Sequence, residues 1–100
     1  MRVVFTREAL ASANAKQTWW EANRQKAPDL FVEELVEIVT KLRAGADEER
    51  QQYAVRGGHM IWRLLMPKTR HHVYYQIDEA KAEVEILLIW NAVARTRPTF

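Results

Sequence analysis

The spacing of apolar positions changes once along this chain. Phe31, Leu35, Ile38 and Leu42 fall at i, i+4, i+7 and i+11, and Val32, Val36 and Val39 broaden the stripe. That is the period of an amphipathic helix, with Glu33, Glu34 and Glu37 largely off the stripe as a solvated face. From His59 onward the period is two. "HMIWRLLM" (59–66), "HHVYYQI" (71–77) and "EVEILLIW" (83–90) read as three strands joined by "PKTR" and "DEAKA". Linkers this short leave no room for a helical crossover, so consecutive strands form antiparallel hairpins. The last run is apolar on both alternations, Val84, Ile86, Leu88 and Trp90 on one and Leu87 and Ile89 on the other, which predicts a strand covered on both faces.

Before the clear helix, "RVVFT" (2–6) is a short strand, and Thr6 is placed to cap a helix over roughly 7–26. Leu10, Ala13, Gln17 and Trp20 would lie along its inner side. Pro28 breaks that helix, Asp29 caps the second, and Gly45 suits its left-handed stop. Residues 46–58 are polar and end in Gly57 and Gly58, giving a loop with room for a frayed strand at "YAV". The order is β-α-α-β-β-β: one α+β domain over residues 1–100, with a helical hairpin packed on one face of a small, mostly antiparallel sheet. The N-terminal strand is placed beside the C-terminal one. One sheet face stays uncovered, and the tail "ARTRPTF" is peripheral.

Composition adds exclusions. A hydrophobic fraction of 48% in 100 residues supports one modest core. No cysteine is present, so disulfides and thiolate chemistry are excluded. No run approaches the roughly 20 apolar residues that cross a bilayer, which predicts a soluble, cytoplasmic protein. The net charge is only +2, but residues 28–55 are acidic and both flanks are basic. A basic flank can meet an acidic partner.

The candidate chemistry centres on residues 59–78. Neighbouring strand side chains point to opposite faces, so His71 and His72 cannot share a metal ion, and no cofactor is expected. "RGGH" lacks the spacing and lysine of a phosphate-binding loop, and Ser12, the only serine, lies on a helix rather than in a nucleophile elbow. If Val73, Tyr75 and Ile77 face the helices, His72, Tyr74 and Gln76 face the uncovered side. Trp62 and Leu64 would be inward and Arg63 outward, and a hairpin loop of even length sets Arg63 beside Tyr74. The outward face then carries Arg63, His72 and Tyr74, with Arg56, Lys68 and Arg70 at the rim. Such a surface can hold a phosphate backbone and stack bases, or take an acidic peptide. The plainer reading makes Arg63 a solvated arginine and Tyr74 strand filler. Of Trp19 and Trp20, one belongs to the core and the other is a candidate partner contact, the plainer reading burying it in the core as well.

"VVFTREAL", the helical hairpin and above all "RHHVYYQIDEAKAEVEILLIWNAVAR" resemble the RelE/ParE superfamily of bacterial type II toxins, over residues 2–98. The resemblance implies the toxin of a plasmid-stabilising toxin–antitoxin system, neutralised by a cognate antitoxin, with room for a homodimer. Two branches compete. RelE-like members are mRNA interferases acting at the ribosome; for that branch the residues that would carry catalysis are Arg63, His72, which stands where the branch has an arginine, and Arg95. ParE-like members inhibit DNA gyrase without cutting RNA, and their strand commonly reads H-x-x-x-Y, as His72 to Gln76 roughly does. Asn91 stands where they usually carry a histidine. The ParE-like reading leads, with Arg56, Arg63, Arg70, His72, Tyr74 and Trp19 as partner-binding residues. A non-toxic binding module of the same fold is the third reading.

Overall fold

A computed structural model describes all residues, Met1–Phe100. Strand β1 (Arg2–Phe5) leads into helix α1 (Arg7–Asn23), and helix α2 (Leu30–Ala44) follows. A meander of β2 (Gln51–Arg56), β3 (His59–Met66), β4 (His71–Asp78) and β5 (Glu83–Asn91) completes the chain. The sheet order is β1-β5-β4-β3-β2, antiparallel except for the parallel pair of β1 with β5. The expected class and hairpin packing are therefore present, with β2 a full strand where only a frayed one was expected. No helix is long and apolar enough to cross a membrane.

The helices begin and end where their chemistry directs. Thr6 Oγ1 accepts from Ala9 N–H at 3.1 Å and so caps α1. Asp29 precedes α2 without a side-chain cap bond, and Gly45, at φ 68°, closes that helix in the left-handed conformation. The principal core joins Ala9, Ala13, Phe31, Leu35, Ile38 and Leu42 of the helices to Leu64, Met66, Val73, Tyr75, Val84, Ile86 and Ile89 of the sheet. Leu10, expected inside, is 53% exposed. Small Ala9 and Ala13 take the inner face instead, and they let α1 approach β5 closely enough for Ser12 Oγ to accept from Ile89 N–H at 3.2 Å. Thr6 Oγ1 likewise donates to Leu87 C=O. These two hydroxyls satisfy backbone groups of β5 beyond the end of β1, which a buried strand cannot leave unpaired.

Glu34 departs from its expected place on a solvated face. Its side chain is buried, and its carboxylate accepts from Lys68 N–H at 2.7 Å, Thr69 N–H at 2.9 Å and Thr69 Oγ1–H at 2.7 Å. One helix side chain thus fixes the β3–β4 turn. Glu34→Ala orphans three donors and is expected to lower stability by on the order of 3 kcal/mol in urea unfolding, whereas Glu33→Ala stays within about 0.5 kcal/mol. Equal losses for the two variants would refute the anchoring role.

Candidate functional site

Strand register settles which side chains share a face. Arg63 stands opposite Tyr74, and Leu65 opposite His72, which in turn faces Trp90 of β5. Paired residues of adjacent strands project to the same side, so Arg63, His72 and Tyr74 all point away from the helices. The alternation expected for β3 and β4 is present.

Two irregularities enrich that outer face. The register of β2 against β3 shifts between Gln52 and Ala54, and that of β5 against β4 shifts across Leu87. Each bulge adds a residue to one strand. Tyr53 and Leu87 join Ile61, Tyr74, Ala54 and Trp90 there, in a second, smaller apolar cluster.

The tail covers part of this cluster, which corrects both its reading as peripheral and the expectation of an open face. Trp90 Nε1–H donates to Thr96 C=O at 3.0 Å, and Tyr53 OH donates to Pro98 C=O. Phe100 packs on Tyr74 and Tyr53, with ring centroids 5.5 and 6.0 Å apart. Tyr74 is 0% exposed as a result. It cannot touch a partner while the tail is in place, and within the fold it supports its neighbours by packing.

Arg63 and His72 remain half-exposed at the margin of the cluster. Arg63 Nε–H donates to Gln51 Oε1 at 2.9 Å, and its guanidinium lies 5.3 Å from the Tyr53 ring centroid. His72 packs edge-on to Tyr74, and its buried Nδ1 has no hydrogen-bond partner. Burial first, and the nearby guanidiniums of Arg63 and Arg97 second, push its pKa down to about 4. The imidazole is therefore neutral at pH 7, with a free ring nitrogen next to cationic groups. Arg56 extends the positive rim over Phe100 at 5.9 Å, whereas Arg95 is exposed on the tail.

Trp19 and Arg70 lie elsewhere. They line a separate cavity on the helix side of the sheet together with His71. The six residues expected to bind a partner thus divide into two groups on opposite faces. Trp20 is the core member of the tryptophan pair, packed on the principal cluster with its Nε1–H donating to Ala27 C=O at 2.7 Å. No three His, Asp or Glu side chains converge to hold a metal ion.

Sequence reasoning missed Tyr53, Phe100 and Arg97 as parts of the outer face. A bulge inverts strand parity without leaving a mark in the pattern, and an irregular tail has no period to read. Glu34 did leave a signal, because Phe31, Glu34, Leu35 and Ile38 stand at i, i+3, i+4 and i+7.

No protein-family model matches the sequence, and no curated protein does. Among solved structures, a chain of the archaeal RelE–RelB complex from Pyrococcus horikoshii OT3 superposes with a TM-score of 0.55 at 12% identity, covering 95% of this chain and 97% of that one. This chain shares its fold with that chain of the complex. At that identity the likeness concerns architecture alone, and it extends over almost the whole of both chains.

The neutral imidazole provides a direct test. In NMR titration the His72 ring is expected to protonate with a midpoint near 4, and Arg63→Ala is expected to raise that midpoint by removing one opposing charge. His71, held down to about 4 mainly by burial, titrates in the same range. Both histidines bind protons more weakly folded than unfolded, so the stability present above pH 6.5 falls as the pH drops toward 4. A His72 midpoint at 6.5 would show the ring to be solvated and uninfluenced by Arg63.

Proposed function

We propose that this chain is the toxin of a type II toxin–antitoxin pair, that it inhibits DNA gyrase in the cytoplasm, and that a cognate antitoxin neutralises it by covering the outer sheet face. The observation that carries this reading is the placement of Arg63 and His72 together on the non-helical face of a RelE/ParE-like fold, rimmed by Arg56 and Arg97. The solved neighbour stands in a RelE–RelB complex, which supports a protein partner here as well.

The same geometry supports inhibition by binding over RNA cleavage. Transfer at a phosphodiester is fastest with a base and an acid in place, and the face supplies one imidazole, the partly buried ring of His72. Neither tyrosine is free to serve: Tyr53 OH is committed to Pro98, and Tyr74 is enclosed. A guanidinium-rich rim around an aromatic patch is instead the composition of an interaction hot spot.

One observation favours the second reading, ribosome-dependent mRNA cleavage. A neutral His72 beside Arg63 can accept a 2′-hydroxyl proton while the guanidinium offsets charge on the phosphate.

Expression without an antitoxin is expected to arrest bacterial growth. The purified chain is expected to abolish gyrase supercoiling and accumulate cleaved DNA, and Arg63→Ala to weaken inhibition about tenfold, equivalent to about 1.4 kcal/mol. Full supercoiling activity alongside cleaved transcripts on ribosomes would replace this reading with the second. Unimpaired growth at high expression would end both and leave a binding module.

A further inference from the structure

The cavity on the helix side of the sheet has no part in the proposed target surface. It lies between the C-terminal half of α1, the β3–β4 turn and the segment after β5, and its volume is about 720 Å³. That is within the size range of small-ligand sites, roughly 300–1,000 Å³. Four cations line it, Lys16, Arg24, Lys68 and Arg70, together with Trp19 and His71, and none of the remaining lining residues is acidic.

These cations are poorly compensated inside the fold. Lys16 is half-buried on α1 and makes no ion pair or hydrogen bond with a side chain, and burial holds its pKa below the ordinary lysine value. Arg70 makes no ion pair either. Lys68 reaches Glu37 only at 3.9 Å, with both side chains solvated, a contact of little worth. Four like charges around one concavity repel one another, and an anion bound among them would relieve that repulsion.

The turn that presents two of them is built in advance. Glu34 fixes Lys68 and Thr69 through their backbone N–H groups, and Ala92 N–H donates to Arg70 C=O at 2.9 Å, so the turn is held from both sides. The Thr69 hydroxyl gives its proton to Glu34, so the 3.1 Å contact between His71 Nδ1 and Thr69 Oγ1 requires Nδ1–H to donate. The contact fixes the proton on Nδ1, and burial, which holds the pKa down to about 4, keeps the ring neutral in the wall. Across the cavity, Trp19 is 49% exposed, and the Arg24 guanidinium lies 5.2 Å from its ring centroid. An exposed indole backed by a guanidinium is a stacking platform for a planar base.

From this juxtaposition we propose that the cavity binds a nucleotide, its phosphate held between Lys16 and the Lys68–Arg70 turn and its base stacked on Trp19. A free nucleotide and a nucleotide unit of a single strand share that chemistry. An acidic peptide would satisfy the cations and leave the indole unused.

The four indole N–H signals of Trp19, Trp20, Trp62 and Trp90 report occupancy in an NMR titration of the full chain. Adenosine monophosphate and a short single-stranded oligonucleotide are added in parallel, with inorganic phosphate, adenosine and an oligoglutamate peptide as controls. Trp19 is expected to shift and Trp62 and Trp90 to stay. A shift with both probes assigns a free nucleotide as sufficient, and a shift with the oligonucleotide alone assigns a strand. Lys16→Met and Arg70→Asn are each expected to weaken binding about tenfold, asparagine being chosen because it tolerates the φ of 60° at this position. Arg63→Ala, on the other sheet face, is expected to leave it unchanged, so the result is independent of the toxin assignment. The proposal is overturned if neither probe moves Trp19, if phosphate or oligoglutamate binds as tightly as the nucleotide, or if the Lys16 and Arg70 variants bind normally with native circular dichroism.

Discussion

Strand β5 has apolar residues on both faces, and the rest of the architecture answers that requirement. It pairs with β1 on one edge and β4 on the other, so its backbone is satisfied by the sheet, but Ile86 and Ile89 on one side and Leu87 and Trp90 on the other need separate cover. Two helices give the first layer. The second comes from a few tail residues with no regular structure, anchored by Trp90 and Tyr53. Because that second layer is short, it closes only part of the face, and the polar margin it leaves is where Arg63 and His72 lie.

Alternation along β3, β4 and β5 was legible because each strand has a buried side, and a register slip of one residue would have exposed Leu64, Val73 or Ile86. The hairpin of helices was legible from the stripe on α2 and the proline after α1. What escaped has a physical reason in each case. The stripe of Leu10, Ala13, Gln17 and Trp20 points Leu10 inward, yet close packing of α1 on β5 selects alanine. Glu34 has charged neighbours that point to a solvated face, although its position on the stripe commits it to the interior, where backbone donors of a tight turn compensate it. Parity puts Tyr74 on the correct face but cannot show that it is enclosed, because part of its cover is Phe100, 26 positions later in a segment without a repeat.

The candidate site was legible as a pair of residues and not as an environment. Arg63 and His72 follow from parity alone. The low proton affinity of His72 does not, because it arises first from desolvation against Tyr74 and the tail. Trp19 and Arg70 were picked out by residue type, and only the folded chain shows that they belong with Lys16 in a cavity the sheet separates from Arg63.

The parallel pairing of β1 with β5 has a kinetic meaning. Arg2 meets Glu83 across 81 positions of chain, whereas the β2–β5 meander is built from neighbours in sequence. Closing so long a loop costs more chain entropy than closing a local hairpin. The meander can therefore assemble from local contacts alone, whereas docking of the first strand needs the long loop to close. Until that step, the unpaired edge of β5 is the part of the molecule most open to pairing with another chain.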